Sequence, residues 1–244
     1  MYPHLPFDNP KAVIINPKVN NRIISFFTQK GIDVYCSKKV SCIDSSVAYH
    51  PDIQIAHIDT NLYVCAPEFF DYYTDILSPY GATVIKGNRS ISGNSPGDIA
   101  YNVLRVGKTS FSKVDCTDEV CLFHLCNNNV RCIDVNQGYA KCNVCIVDEK
   151  SIITSDISIH KKALENSLDS LLISQGDIRL EGFEYGFVGG ASFKLNRNTL
   201  CFLGDISHHK DYKKILDFTK ERNVDISIVS QGKAEDFGSV ILVF

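Results

Sequence analysis

The amino-acid sequence predicts an α/β fold in which its 244 residues form a ring of five repeated units. An amphipathic helix followed by a β-rich strand recurs five times along the chain. The five helices begin at positions 21, 67, 115, 156 and 207, so successive units start 46, 48, 41 and 51 residues apart. Repeats of this length are typical of solenoids, propellers and closed arrays.

Each predicted helix starts at a residue that favours a helix N-terminus and is followed by a β-rich segment. Asparagine, aspartate and serine can cap the first turn, and proline suits its first position. Gly31 and Gly81 end the first two helices, as glycine commonly does. The predicted helix starts are Asn21, Pro67, Asp115, Asp156 and Ser207, and the strands after them span 32–36, 82–86, 130–135, 171–174 and 224–229.

A second set of short strands begins on polar or glycine-rich residues, at 54–66, 98–106, 141–147, 189–195 and 238–244. The last of these has no helix after it, and the first helix has no such strand before it. Strand 239–244 would therefore complete the N-terminal unit, and this closure would remove exposed sheet edges. We expect one closed domain over residues 1–244, with an open α/β sheet of loosely similar parts as the alternative.

Composition excludes several classes of protein. The chain has 25 basic and 28 acidic residues, so its net charge of −3 offers no basic field for nucleic acid. No apolar run approaches the roughly 18 residues of a membrane span, and the first ten residues lack a signal-peptide pattern. We therefore expect a cytoplasmic protein with neither a membrane nor a nucleic-acid partner.

Ten cysteines stand out, six of them between residues 116 and 145. Without a signal sequence they are expected to be reduced, and small buried thiols commonly pack in cores. Cys142 and Cys145 form a C-x-x-C pattern, but residues three apart on a strand point to opposite faces. We therefore predict core packing, with no metal site and no cofactor.

Four short stretches resemble the pentein, or guanidine-modifying enzyme, superfamily. They are Pro51-Asp52-Ile53-Gln54-Ile55 through Asp59-Thr60, Gly97-Asp98-Ile99, Gly138-Tyr139-Ala140-Lys141-Cys142, and Phe237-Gly238-Ser239-Val240. The resemblance implies a propeller of five αβ units around an axial channel. It also implies relatives such as amidinotransferases and dimethylarginine hydrolases, in which a cysteine thiolate attacks a guanidinium carbon, a histidine handles the proton and carboxylates hold the cation.

The sequence departs from that superfamily at the two catalytic positions. Tyr139 stands where the resemblance places the histidine, and Gly238 or Ser239 stands where it places the cysteine. Asp59 and Asp98 could still supply the carboxylates. The standard Cys–His pair is therefore expected to be absent.

In a five-unit ring, residues at the openings of the second set of strands should converge on the axis. The predicted site comprises His57, Asp59, Asp98, Asn102, Lys141, Cys142, Asn143, Gly189, Gly190, Ser192, Asp236 and Ser239. We predict a guanidine- or amidine-like cation as the ligand, with Cys142 as a nucleophile of lowered pKa and His57 as its base. A pore plugged by paired polar side chains and water is the alternative.

Three functions are compatible with this site. The first is a diverged member of the superfamily with an axial small-ligand site. The second is an active C–N hydrolase or amidinotransferase that uses Cys142 and His57. The third is a non-catalytic, partner-binding protein similar to the ribosome anti-association factors of the superfamily. The loop 90–96, rich in serine, glycine and asparagine, could form a lid over the channel.

Overall fold

The computed structural model describes residues 2–244 and contains five three-stranded sheets, which repeat one topology in a propeller-like arrangement. In each sheet an inner strand pairs antiparallel with a middle strand, and the middle strand pairs parallel with an outer strand. The inner strands are largely buried, whereas the outer strands are partly exposed. This arrangement confirms the predicted fold class, an α/β pentein propeller.

The fifteen strands, written inner, middle and outer for each unit, are as follows: β15 (Ile241–Val243), β1 (Ala12–Ile15) and β2 (Asp33–Cys36); β3 (Ile55–Asp59), β4 (Leu62–Cys65) and β5 (Thr83–Lys86); β6 (Leu104–Val106), β7 (Thr109–Ser112) and β8 (Arg131–Asp134); β9 (Val144–Ile146), β10 (Ser151–Thr154) and β11 (Asp169–Leu172); β12 (Ser192–Asn196), β13 (Thr199–Phe202) and β14 (Asp225–Ile228).

One amphipathic helix connects the middle and outer strands of every unit. These helices are α1 (Asn21–Thr28), α3 (Phe70–Leu77), α4 (Glu119–Asn127), α6 (Ile157–Glu165) and α7 (Tyr212–Lys220). Two further one-turn helices, α2 (Pro51–Gln54) and α5 (Ala140–Asn143), directly precede inner strands. None of the helices within residues 2–244 is long and apolar enough to cross a membrane.

Side-chain caps fix where three of the connecting helices, α1, α4 and α6, begin. The Asn20 side chain accepts hydrogen bonds from the backbone N–H groups of Arg22 and Ile23, at 3.0 and 3.2 Å. Asp156 accepts one from Ile159 N at 2.8 Å. Both satisfy amide groups that have no partner within the helix.

The C-terminal strand closes the ring with the N-terminal unit, as predicted. β15 pairs antiparallel with β1, with Val13 opposite Leu242. β1 precedes the first helix and was not predicted. The N-terminal segment therefore supplies the middle and outer strands of its unit, and the C-terminus supplies only the inner strand. β7, β10 and β13 were also missed as separate strands. These four-residue strands are mostly buried, so they lack the alternating pattern that identifies a half-exposed strand.

Pro67 begins a 3-10 turn, Pro67–Phe69, that runs directly into α3. Two other predicted helix starts were wrong because a separate 3-10 turn precedes the α-helix. Residues Val114–Cys116 form such a turn, and α4 is capped by Asp118 rather than Asp115. Residues Ile206–His208 form another, so α7 follows Asp211 rather than Ser207. In both cases an earlier polar residue resembled a cap.

All ten cysteines are free thiols, and five of them are buried: Cys65, Cys121, Cys142, Cys145 and Cys201. Cys42 and Cys126 are exposed, which corrects the expectation that the thiols outside the axis all pack in the core.

Candidate functional site

The site is built from the residues that directly precede the inner strands. In two units these residues form the one-turn helices α2 and α5, each followed at once by an extended residue that starts the strand. Every residue of both turns is buried. Because the five units surround one axis, equivalent short segments of each unit place their polar side chains together at its centre.

A buried network links Asp52, Lys141, Cys142 and Ser239. The Cys142 thiol donates to Asp52 Oδ2 at 2.8 Å, and the Ser239 hydroxyl also lies 2.8 Å from that oxygen. Lys141 Nζ donates to Ser239 Oγ at 3.0 Å. All four residues are at most 5% exposed, so the contacts form away from bulk water.

His50 and Asp236 complete one side of this network. His50 Nδ1 lies 4.0 Å from Cys142 Sγ, and its Nε2 is buried without a hydrogen-bond partner among the described residues. Asp236 accepts hydrogen bonds from Phe187 N at 2.8 Å and Gly238 N at 2.9 Å. Gly238 has a φ of 76°, and a Cβ there would collide with the His50 side chain. Glycine is therefore required where the chain passes His50.

Asp98 and Tyr139 meet on another side of the site. The Tyr139 hydroxyl donates to Asp98 Oδ2 at 2.8 Å. Asp98 Oδ1 is buried and accepts no hydrogen bond from the described residues. Asn102 Oδ1 accepts from the backbone N–H groups of Lys141 and Cys142, at 2.7 and 3.4 Å, and so fixes α5 from the preceding unit.

Burial favours the protonated form of the carboxyl groups of the site. It raises the pKa of Asp52 to about 6, although Lys141 opposes the change. Burial also raises the pKa of Asp236 to about 7 and that of Asp98 above its usual range. The opposite effect on the bases lowers the pKa of His50 to about 3 and that of Lys141 below its usual range. The site therefore holds three carboxyl groups, a neutral imidazole and one ammonium.

The pKa of the Cys142 thiol is raised well above its usual range, first by burial and then by Asp52. This corrects the predicted lowering of that pKa. Lys141 favours the thiolate, but burial and the carboxyl groups outweigh its effect. In this structure Cys142 is a neutral hydrogen-bond donor.

The structure does not join His57 to Cys142. The His57 ring stacks on Tyr63, contacts His4, and places Nε2 3.1 Å from Thr60 O. The imidazole beside Cys142 is that of His50. Asp59 forms an ion pair with Arg105 at 3.2 Å. The carboxyl group that reaches the network from the segment around β3 is instead that of Asp52.

The other predicted residues occupy the segments that precede inner strands. Gly189 O lies 3.2 Å from Ser239 Oγ, and a Cβ on Gly190 would collide with Asp236. Asn143 instead accepts a hydrogen bond from Thr154, at 2.5 Å. Ser192 is buried at the start of β12.

Repeat alignment could have found Asp52. Lys141–Asn143 directly precede β9, and the residues with the same relation to β3 are 52–54. The prediction of His57 and Asp59 assumed that one strand spans residues 54–66. In the structure α2 ends at Gln54, and β3 begins at Ile55.

Three donor atoms could hold a metal ion. One ligand atom each from His50, Cys142 and Asp236 lies within 4.8 Å of the others, and all three residues are buried. Ligands of tetrahedral zinc lie roughly 3.4 Å apart when the bonds are about 2.1 Å long. His50 Nδ1 and Cys142 Sγ lie 4.0 Å apart, so this pair would have to move closer together to bind one zinc ion.

The axis is nearly filled by side chains. An axial cavity lined by His4, Lys141 and Lys194 has a volume of about 10 Å³, whereas a much larger cleft, of about 1050 Å³, lies elsewhere, beside Arg197 and Arg222. This agrees with the alternative of a plugged channel more closely than with an open one.

Two loops pack together beside the site. Asp44 N donates to Asn94 Oδ1 at 2.8 Å, and Cys42 Sγ to Ile91 O at 3.4 Å. Ser95 hydrogen-bonds to Tyr139 and influences the pKa of its hydroxyl. The predicted lid segment 90–96 thus contacts the site directly through Tyr139.

Comparison with solved structures identifies the same fold in enzymes. The amidinotransferase SxtG of saxitoxin biosynthesis, from Microseira wollei, is 14% identical with a TM-score of 0.58, covering 100% of this chain and 96% of that one. Inosamine-phosphate amidinotransferase StrB1 from Streptomyces griseus is 11% identical with a TM-score of 0.59 and the same coverage. A cysteine-to-serine mutant of DDAH from Pseudomonas aeruginosa, complexed with citrulline, is 7% identical with a TM-score of 0.56, covering 91% and 92%.

The TM-scores show a shared fold, and at these low sequence identities they show nothing beyond the fold. No curated protein matches the sequence. One protein family matches residues 14–241 of the chain, and it is described as a "family of unknown function (DUF6873)". The chain is therefore a member of the DUF6873 family, and it shares its fold with these enzymes.

Proposed function

We propose that this chain binds a small guanidine- or amidine-like cation at the acidic site on its axis. One observation carries the proposal: Asp52 and Asp98 each bury a carboxyl oxygen, Oδ1, that accepts no hydrogen bond of normal geometry from the described residues. The Lys141 ammonium and the Asn102 amide are close enough to Asp52 to lower its pKa, but neither gives Oδ1 a hydrogen bond of normal geometry. A planar cation with several N–H donors would supply both the charge and the hydrogen bonds.

The charge balance also supports a cation. The carboxyl groups of Asp52 and Asp236 face the one ammonium of Lys141, because burial keeps His50 neutral, and Asp98 has no cation beside it among the described residues. A buried carboxylate without a partner is costly, so a bound cation would stabilise the ionised forms. Similar folds belong to amidinotransferases, to a protein complexed with citrulline and to an agmatine deiminase from C. jejuni.

Binding requires the lid to open, since the described structure holds no space for a guanidine beside Cys142. Loops 37–49 and 90–96 share two hydrogen bonds, and Val40 and Ile91 belong to one buried apolar cluster. Opening would therefore expose some apolar surface, which the binding energy of the cation has to offset. All ten cysteines are free thiols, which supports a reducing, cytoplasmic location.

We further propose that the standard Cys–His pair of the superfamily is lost. Tyr139 uses its hydroxyl to bind Asp98, and Ser239 occupies the position expected for the nucleophile. Cys142 and His50 lie 4.0 Å apart, which makes a C–N hydrolase or amidinotransferase based on them the second candidate. Turnover of a guanidine that disappears in Cys142→Ser would favour this second candidate.

A thermal-shift panel of guanidines and amidines tests the binding proposal. By linkage, a ligand at a hundred times its Kd stabilises the protein by about 2.7 kcal/mol, which raises Tm by roughly 5–10 °C at this size. We expect Asp52→Asn and Asp98→Asn to abolish the shift. The matched control Asp75→Asn, exposed on α3, should retain it. No shift with any member of the panel would contradict the proposal.

A further inference from the structure

A second polar cluster lies on the axis beyond Lys141. Its cavity is lined by the polar residues His4, Lys141, Ser192 and Lys194 and by apolar residues of β9, β12 and β15. Those inner strands begin at the acidic site and run away from it, so the cavity lies deeper along the axis. Lys141 therefore lies between the acidic groups on one side and the cavity on the other.

Lys194 has a buried ammonium group whose charge is not balanced by an ion pair. It is 2% exposed, and Nζ donates to Arg197 O at 2.9 Å. Asp148 lies within electrostatic reach but beyond the 4.0 Å of an ion pair. Burial lowers the pKa of Lys194 to about 8, so an ammonium persists at neutral pH. Two of its three N–H donors are left for another partner.

The remaining lining supplies further donors. Lys141 Nζ uses one N–H on Ser239, and His4 Nε2 is buried without a hydrogen-bond partner in the described chain. His4 itself is held in place by a tight turn in which it has a φ of 63° and Leu5 N bonds to Tyr2 O at 3.1 Å. The N-terminal turn thus inserts an imidazole into the end of the axis.

We propose that this cavity binds a single small anion of halide size, held by Lys194, Lys141, Ser192 and His4. Its volume of about 10 Å³ is at the lower limit for one water-sized occupant, which excludes phosphate, carboxylate and guanidinium ligands. A halide ion is somewhat larger than a water molecule, so the lysine side chains must shift slightly to admit it. Two ammonium groups can only donate hydrogen bonds. A halide only accepts them, whereas a water must also donate two, and the lining side chains offer few acceptors.

Charge favours the anion as well. Lys141 faces the carboxyl groups of Asp52 and Asp236, but Lys194 is without a close counter-ion. An isolated buried ammonium is strongly disfavoured, so one bound monovalent anion would restore neutrality around Lys194. This site is separate from the proposed cation site and does not depend on it.

Chloride is the probe for the test. We expect the Tm of the full-length protein to be a few degrees higher in sodium chloride than in sodium gluconate at equal ionic strength. The difference should vanish in Lys194→Met and persist in the control Lys161→Met, which alters an exposed lysine on α6. An equal difference in Lys194→Met, or none in the wild type, would overturn the proposal.

A second measurement keeps the test decisive if Lys194→Met does not fold. Crystals of the wild-type protein grown in sodium bromide should show an anomalous peak in the cavity, within hydrogen-bond distance of Lys194 Nζ. An ordered water without anomalous signal, or an empty cavity, would refute an anion site. Because guanidines are absent from both experiments, failure here would leave the proposed cation site unaffected.

Discussion

Asp52 brings together three polar groups from different parts of the chain. Its Oδ2 meets the Cys142 thiol and the Ser239 hydroxyl, and Ser239 in turn receives Lys141. Burial raises the pKa of Asp52 to about 6. Between pH 4 and 6 the folded protein therefore holds a proton that the unfolded chain releases, so this group makes unfolding easier as the pH rises. A bound cation would reverse that cost.

Gly238 sets the path of the chain past His50. We expect Gly238→Ala to lower the free energy of unfolding by about 3 kcal/mol or more, because the added methyl both collides with His50 and strains a positive φ. Gly232→Ala, at a φ of 88° with open space around it, should cost only about 1–2 kcal/mol. Urea unfolding of both variants provides the comparison, and equal losses would contradict the predicted collision.

At the scale of elements, the short segments before the inner strands position the site, and neighbouring units fix one another. Asn102 caps α5 from the preceding unit. Asp118 does more, since it caps α4 through Val120 N and also accepts from Asn88 N and Arg89 N, at 2.8 and 2.7 Å. A residue that starts one helix thereby holds the loop that leads to the lid.

Asp118→Ala should therefore be more damaging than an ordinary cap deletion. We expect it to lower the free energy of unfolding by about 3 kcal/mol, because three backbone N–H groups and the buried Tyr101 hydroxyl lose their acceptor at once. Asp156→Ala removes a cap from α6 that serves Ile159 N, and should cost about 1 kcal/mol. Chemical denaturation measures both losses. A loss in Asp118→Ala no greater than that in Asp156→Ala would count against this linking role.

The sequence predicted the connecting helices and outer strands well because their caps and amphipathic faces are local features. It missed β1 and β7, since short buried strands carry no alternation. It found Lys141, Cys142 and Ser239 through the repeat, but placed the first acidic residue at Asp59 instead of Asp52. The raised Cys142 pKa could not be predicted, because it depends on burial and on Asp52, 90 residues away in sequence.

At the scale of the whole molecule, one polar axis joins all five units. Its acidic groups lie at the openings of the inner strands, and Lys194 and His4 lie farther along. The ring closes through three register pairs between β15 and β1, including Val13 with Leu242. We propose that the 244 residues fold as one domain, because the N-terminal unit has no inner strand without the C-terminus.

Removal of residues 241–244 tests this closure. The truncated chain would lose β15 and expose β1, whose residues are at most 1% exposed in the closed ring. We expect it to lose cooperative thermal unfolding and to aggregate, because an uncovered apolar strand is a template for pairing with other chains. Circular dichroism and light scattering would show this. A cooperative melt close to that of the full-length protein would argue against one closed domain.

The central claim is that ionised Asp52 and its neighbours hold a guanidine-like cation, and proton-linked calorimetry with methylguanidine tests it most directly. Guanidinium stays protonated throughout the range of pH 5.5 to 8, whereas Asp52 and Asp236, with pKa values of about 6 and 7, must lose protons to bind it. We expect at least tenfold tighter binding at pH 8 than at pH 5.5, with proton release that depends on the buffer and loss of binding in Asp52→Asn. Binding that is independent of pH and unchanged in Asp52→Asn, or no binding at all, would contradict it.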